Sequence, residues 1–350
     1  VLNILSPNTR FDKYLSYNST LDHWEEELPA NRMTAGKGYI IRTPEAGLHG
    51  NGENVVFPYS QQLQFVGVPS NGTIFGQEVT TVTATRYFLL GNPYASALDA
   101  NLFLSANNTT LEGTIYFWTH NTPIGLIGSN YAYTTDDYAS YNSTGGVGTS
   151  AESDPGHNDN PALDLGRKPT GKIAAGQSFF VASKAAGTIA FTNGMRVSGN
   201  NNQFFKPGKA SSIEKHRLWL ELSNDKGAYK QTLVGYIEGA TDNYEDQFDG
   251  ITFDGNPYLD FYSINEDKKL VIQGRALPFE NTDVVALGYK STIAGNFTIG
   301  INQADGTLSN QPIYLEDRLT QTIHDLRIAD YTFTTAIGTF DDRFVLKYQN

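Results

Sequence analysis

The stretch LWLELSNDKGAYKQTLVGY, residues 218–236, decides the fold class. Its two apolar runs, Leu218–Leu222 and Thr232–Tyr236, flank Asn224-Asp225-Lys226-Gly227. Asn and Asp offer the backbone local side-chain hydrogen bonds, and Gly takes left-handed conformations without steric cost, so these four residues read as a turn between two strands. Downstream the same unit repeats. Strands are expected at Leu259–Ile264, Leu270–Gly274, Val284–Tyr289, Asn296–Ile301, Pro312–Glu316, Thr322–Leu326, Tyr331–Thr335 and Arg343–Tyr348. They recur about every ten residues, the spacing of a sandwich or jelly roll, and the ~135 residues from Arg217 onward suit one such domain.

Upstream, short strands are expected at Gly38–Thr43, Val55–Tyr59, Leu63–Val68, Thr80–Leu90, Gly113–Thr119, Ser178–Ser183 and Thr188–Thr192. TVTATR at 80–85 alternates with period two, as a half-exposed strand does. One helix is expected, with Ser96 capping Ala97–Ala106 and Leu98, Leu102 and Phe103 on one face. Residues 34–47, TAGKGYIIRTPEAG, align without gaps to 174–187, AAGQSFFVASKAAG. Each copy reads as a glycine-kinked entry into a buried strand, and the pair implies a pseudo-symmetric sandwich. Residues 125–170 are expected to form a long surface loop, and Asn200–Glu214 a linker with Phe204 and Phe205 packed back on the first domain. The expected architecture is all-β: two tandem antiparallel β-sandwich domains, jelly-roll or immunoglobulin-like, with one short helix in the first. The first spans 1–205, the linker 206–216 and the second 217–350.

Composition agrees with that reading. With 20 Phe, 20 Tyr and only 2 Met, aromatic rings are the main core material, and 34 Gly with 14 Pro supply turns. The net charge of −12 repels a phosphate backbone, which argues against nucleic-acid partners. No run reaches the ~18–20 apolar residues of a membrane-spanning helix. Val1 opens into an ordinary segment and not a signal peptide, so the numbering is expected to start within a longer precursor. The absence of cysteine excludes disulfides, thiolate metal sites and a Cys nucleophile.

Six histidines, His23, His49, His120, His157, His216 and His324, are scattered, with no HExxH and no i,i+4 pair, so a zinc site has no support. His324 in TIHDL reads as an ordinary side chain on a sheet face. No GxSxG, P-loop or GxGxxG occurs. Carboxylates crowd GATDNYEDQFDGITFDGN, residues 239–256, where Asp242, Glu245, Asp246, Asp249 and Asp254 form a candidate Ca²⁺ loop. The spacing is not that of an EF-hand, and solvated turn carboxylates are the preferred reading, there and at Asp154, Asp159 and Asp164. No catalytic residue and no obligatory cofactor is expected. Among aromatics, Tyr131, Tyr133, Tyr138, Tyr141 and Trp24 are the candidates for ligand stacking, while Trp118 in TIYFWTH and Trp219 in RLWLEL are expected in the core.

Several phrases resemble one family. They include LLGNPYASALDANLFLSAN (89–107), GTIYFWTHNTP (113–123), KIAAGQSFFVASKAAG (172–187), LWLELSNDKGAYKQTLVGYIEGATDNYEDQFDG (218–250) and IYLEDRLTQTIHDLRIADYTFTTAIGTFDDRFVLKY (313–348). The chain resembles type IX secretion system substrates of Flavobacterium-type Bacteroidota, in the β-sandwich region that precedes a type C-like C-terminal sorting domain. The resemblance implies a large surface protein, extracellular or attached to the outer membrane. It implies contact with the type IX machinery and its outer-membrane shuttle through a sorting domain lying beyond Asn350. It implies no catalytic residues. The function expected from it is a non-catalytic adhesin or structural stalk, some members being linked to gliding motility. Two alternatives stay open: a carbohydrate-binding module of a polysaccharide-degrading enzyme, with surface glycans as partners, and a subunit of a surface filament or layer.

Overall fold

The computed structural model describes residues 2–57, 59, 63–79, 85–118, 125–127, 130–132, 138–149, 168–198, 213–253 and 258–350. Strands take up 47% of the chain and helices 6%, which makes the protein all-β and of the sandwich type. Contacts group it into two units, Val1–Glu112 with Ile173–Asn202, and Gly113–Lys172 with Gln203–Asn350.

The second unit is built on one continuous ladder. From one edge the strands run Thr322–Asp325, Tyr314–Asp317, Gly338–Lys347, Val284–Ser291, Leu259–Asn265 and Lys268–Arg275. Tyr229–Ile237, Lys215–Ser223, Gly295–Ala304 and Tyr331–Thr335 complete it, and Gly250–Ile251 pairs with Lys268–Arg275 off this path. Pairing along it is antiparallel except between Tyr229–Ile237 and Lys268–Arg275, which are parallel. A parallel pair needs a crossover, here made by the chain from Glu238 to Asp267. The ladder folds back on itself, so that Leu218, Leu220 and Leu222 meet Leu287, Tyr289, Phe344 and Leu346 in one buried cluster. Each such side chain taken out of water contributes about 1.5–3 kcal/mol before the entropy of ordering it is set against it. The two ends of the ladder approach each other as well: the Tyr331 hydroxyl, on one edge strand, donates at 2.9 Å to Asp317, on the strand next to the other edge.

The alternation that turns Leu218, Leu220 and Leu222 inward turns Trp219 outward, yet Trp219 is also buried. Residues 138–149 cover that second face. The Trp219 indole N–H donates to Gly146 O at 2.8 Å, and Val147 packs with Leu233, Val271 and Ile272. All nine positions of Tyr229–Ile237 are consequently buried, Lys230, Gln231 and Thr232 included. Their polar atoms are paired: Gln231 Oε1 accepts from Gly148 N–H at 3.1 Å and the Thr232 hydroxyl donates to Val271 O at 3.1 Å.

This corrects the reading of 138–149 as part of a surface loop over 125–170; residues 150–167 of that stretch lie outside the described residues. Tyr138–Tyr141 pairs with Leu111–Trp118 and with Gly146–Val147, and 139–149 is among the most deeply buried parts of the unit. Its Gly, Ser and Thr are small because they lie flat on a sheet. The expected division at 205 differs accordingly: 113–172 belongs with the second unit. Asn142 Nδ2 and the Thr144 hydroxyl both donate to Phe248 O, at 3.0 and 2.6 Å. The expected linker overlaps Lys215–Ser223, which begins as a strand before Arg217; Phe204 and Phe205 lie outside the described residues.

In the first unit, Tyr87–Gly91 organises both copies of the internal repeat. Ser178–Ser183, from the second copy, pairs antiparallel along one side of it, with Phe179 opposite Leu90. On the other side Lys37, from the first copy, bridges the same Leu90. Both copies enter through a glycine with positive φ, Gly36 at 80° and Gly176 at 73°, in matching turns where Lys37 N–H donates to Thr34 O and Gln177 N–H to Ala174 O. The Gly91 and Asn92 N–H groups then donate to Gly36 O and Gln177 O. Other pairings are Tyr14–Asn18 with His23–Glu26 and Ile40–Ile41, Gly187–Phe191 with Ile74–Val79, Gly47–Leu48 with Asn54–Val55, and Arg196–Val197 with Ala97–Asp99. Phe103 stacks on Phe191 and meets Phe179 edge-on, with ring centroids 5.0 and 5.4 Å apart.

Three local expectations change. The helix is Ala100–Ala106, capped by Asp99, whose carboxylate accepts from Asn101 and Leu102 N–H at 2.9 and 3.1 Å. Residues 97–99 are held in strand pairing, so the cap moves to the next good acceptor, while Ser96 Oγ instead accepts from Arg196 Nε. The buried face is Ala100, Phe103 and Leu104, and Leu102 is exposed. A one-turn helix, Leu2–Leu5, adds to the single helix expected. Leu63–Val68 forms no strand and is exposed throughout, since Gly67 and Pro69 interrupt it.

Candidate functional site

In its described part, residues 239–253, the acidic stretch does not converge on a shared centre. Asp249 is buried, its carboxylate accepting from Glu245 N–H at 2.7 Å and Gly274 N–H at 2.9 Å. Burial pushes its carboxyl up to about 7, against the pull of those two donors. Glu245 turns back to accept from Thr241 N–H at 2.6 Å. Asp242 accepts from Ala276 N–H and lies 3.6 Å from the Arg275 guanidinium. The acids thus tie a loop to the end of Lys268–Arg275. Among the described residues no three His, Cys, Asp or Glu side chains form a metal-holding group. Asp254 and the second cluster, Asp154, Asp159 and Asp164, lie outside the described residues.

The aromatic candidates separate into different surroundings. Trp24 is half-buried and meets Tyr17 and Phe180 edge-on, at 5.3 and 5.7 Å between centroids. Tyr141 is a core residue whose ring lies close over Gly171. Tyr138 is half-buried, packed on Phe253 at 4.4 Å and stacked beside Trp118 at 6.4 Å. Trp118, expected in the core, is 37% exposed at the end of its strand, whereas Trp219 is in the core as expected. Tyr133 and the side chain of Tyr131 are outside the described residues. His324 is half-buried on its strand, its Nε2 2.7 Å from Ala329 O.

Two further places combine polar groups with space. In the second unit, His216 lines a cavity of about 430 Å³ with Glu214, Thr307 and the Leu277-Pro278-Phe279 turn. Its Nδ1 accepts from Thr307 N–H at 3.1 Å, which leaves the proton on Nε2 to donate to Glu214 at 3.0 Å. The imidazole is therefore already used on both sides. The neighbouring Lys215 amine, brought down to about 8 by burial and by Arg217, donates to Ser143 O.

In the first unit a cleft of about 340 Å³ is lined by Tyr17, Asn18, Glu25, Lys37, Phe75 and Gln77, among others. Asn18 and Glu25 share one face of the ribbon formed by Tyr14–Asn18 and His23–Glu26, because Ser16 lies opposite Glu25. Asn18 Nδ2 donates to Glu25 Oε1 at 2.6 Å, and Lys37 Nζ donates to Glu27 Oε1 at 2.8 Å. Phe75 and Gln77 project from one face of Ile74–Val79, two residues apart. Of these six, Tyr17 packs on Trp24 and Glu25 is its chain neighbour, but none was itself a candidate read from sequence. They come from four separate segments, and no local motif marks them.

No curated protein and no solved structure matches the chain. One family matches it over residues 1–348, and the chain belongs to that family, described as a domain of unknown function (DUF8693).

Proposed function

We propose that the chain is a non-catalytic β-sandwich module of a cell-surface or secreted protein, exported by the type IX system and serving as an adhesin or its structural stalk. The observation that supports this reading is the use made of buried charge. Among the described residues five charged side chains are buried: Lys230, Asp249, Asp260, Asp317 and Arg343. Arg343 pairs with Asp317, Lys230 Nζ lies 3.6 Å from Asp260 Oδ1, and Asp249 accepts backbone N–H groups. A catalytic acid or base is perturbed and open to a substrate, whereas these groups face structural partners. Surface placement and the export route rest on the resemblance carried by residues 89–107, 172–187 and 218–250.

The test uses intact cells of the source bacterium and an antibody raised against the purified chain. Surface labelling that disappears when the type IX translocon is deleted is the expected result, together with weaker attachment of cells lacking the chain. Labelling confined to lysed cells would refute the reading.

A further inference from the structure

We propose that the cleft of the first unit binds a neutral pyranose sugar, through the Phe75 ring on its apolar face and Glu25 and Gln77 on its hydroxyls. The inference supplies a ligand class for the adhesin reading and rests on it only for the biological setting.

A cleft of about 340 Å³ is at the small end of the range that ligand pockets occupy, which is roughly 300–1,000 Å³, and fits one or two sugar rings. Sugar recognition needs an aromatic surface for the C–H face of the ring and planar acceptors or donors for pairs of hydroxyls. Phe75 is 68% exposed although it sits within a strand, so its face is offered to solvent and not used in the core. Beside it, the Gln77 amide donates through Nε2 to Leu89 O at 2.8 Å. That bond fixes its orientation and leaves Oε1 as an acceptor. Glu25 is fixed in the same way: Oε1 takes the Asn18 donor, while Oε2 takes no hydrogen bond among the described residues. The Asn18 side-chain carbonyl itself accepts from Thr20 and Leu21 N–H at 2.9 and 3.0 Å, so the pair is hydrogen-bonded in place before any ligand arrives. Each planar group therefore presents one oriented acceptor, as hydroxyl donors require.

Charge selects among sugars. Lys37 is neutralised by Glu27, so the formal charge left in the lining is the Glu25 carboxylate. An acidic or sulfated sugar would be repelled, and a nucleotide more so. A neutral hexose or N-acetylhexosamine meets no such penalty.

The experiment is calorimetric titration of the full chain with glucose, galactose, mannose and N-acetylglucosamine and their β-linked disaccharides, alongside Phe75→Ala, Glu25→Gln and Gln77→Ala. All three positions are at least partly exposed, and thermal melts of the variants check that each folds. Saturable binding of a neutral sugar, weakened about tenfold or more by Phe75→Ala and by Glu25→Gln, is expected. Saturation-transfer NMR should place the sugar's C–H face against an aromatic ring. The inference fails if none of these sugars saturates the protein, or if binding persists unchanged in all three variants. It also fails if glucuronate binds as tightly as glucose. Failure here leaves the surface-labelling result untouched, so the two readings are judged separately.

Discussion

Arg343 Nη2 lies 2.8 Å from Asp317 Oδ2, with both side chains buried and the guanidinium against the rings of Phe333 and Phe344, 4.6 and 4.9 Å from their centroids. Asp317 also accepts from the Tyr331 hydroxyl, so strands near both edges of the folded-over ladder meet at one carboxylate. Burial alone would raise its pKa, but the Arg343 and Tyr331 hydrogen bonds outweigh it and hold the carboxyl below the usual range. A depressed native pKa contributes stability that is complete above the unfolded value and is lost as pH falls through the native one.

Arg343→Met should therefore destabilise the second unit by about 3–5 kcal/mol, because it leaves Asp317 buried and unpaired. Adding Asp317→Leu should recover much of the loss, since an apolar pair of similar volume needs no desolvation. Urea denaturation of the three proteins checks both statements. Equal stability of the single and double variants would show that the pair, and not the stranded charge, matters.

Asp249 titrates in the opposite sense. Its native pKa of about 7 lies above the unfolded value, so its stabilising contribution is complete below about pH 4 and is lost as pH rises through about 7. Asp249→Asn should remove that slope. At acid pH the variant should be less stable by about 1–3 kcal/mol, because an amide replaces one of the two acceptors facing Glu245 and Gly274 N–H. The measurement is the urea midpoint as a function of pH. An unchanged slope in the variant would assign the titration elsewhere.

The two copies of the repeat converge on Leu90 only because glycine permits close approach. A Cβ at Gly38 would stand 2.5 Å from Leu89 Cγ and 2.7 Å from Leu90 O, and one at Gly91 would stand 2.8 Å from Lys37 O. Gly38→Ala and Gly91→Ala should each cost about 1–3 kcal/mol through forced backbone shifts. Gly50→Ala, where nothing lies within 4 Å, is the control and should be near neutral. Thermal melts separate these outcomes; equal melting temperatures for all three would mean the copies do not meet there.

Much of the second unit was legible in the sequence because its strands obey short-range rules. Tyr331–Thr335 lies within its expected bounds, and Leu259–Asn265 and Val284–Ser291 extend theirs only at the C-terminal end. The glycine-kinked entries of the repeat were legible too, at Gly36 and Gly176, but only the second copy continues as a buried strand, Ile40–Ile41 of the first being half-buried. What escaped was long-range. Asn142, Thr144 and Gly148 look like loop residues, yet the far-off partners Phe248 and Gln231 hold them in the interior. Asp242, Glu245 and Asp249 look like a cation loop until backbone N–H groups are seen to occupy them. The cleft residues Glu25 and Gln77 carry no local signal, since their strands are brought together by folding alone.

The placement of 138–149 on the second unit leads to a final expectation. Asn142 is fully buried; its Nδ2 donates to Phe248 O at 3.0 Å and its Oδ1 accepts from Thr144 N–H at 2.9 Å. In Asn142→Ala the Thr144 N–H is orphaned, while Phe248 O keeps the Thr144 hydroxyl as a second donor. One orphaned buried group costs about 1–3 kcal/mol, and the cavity left by the amide adds to it. If 113–172 belongs with 203–350, hydrogen exchange should quicken in Tyr229–Ile237 and Lys268–Arg275, the strands this segment covers. Ser178–Ser183, in the other unit, should keep its protection. Loss of protection in 178–183 with none in 229–237 would return the segment to the first domain, where its sequence position alone would put it.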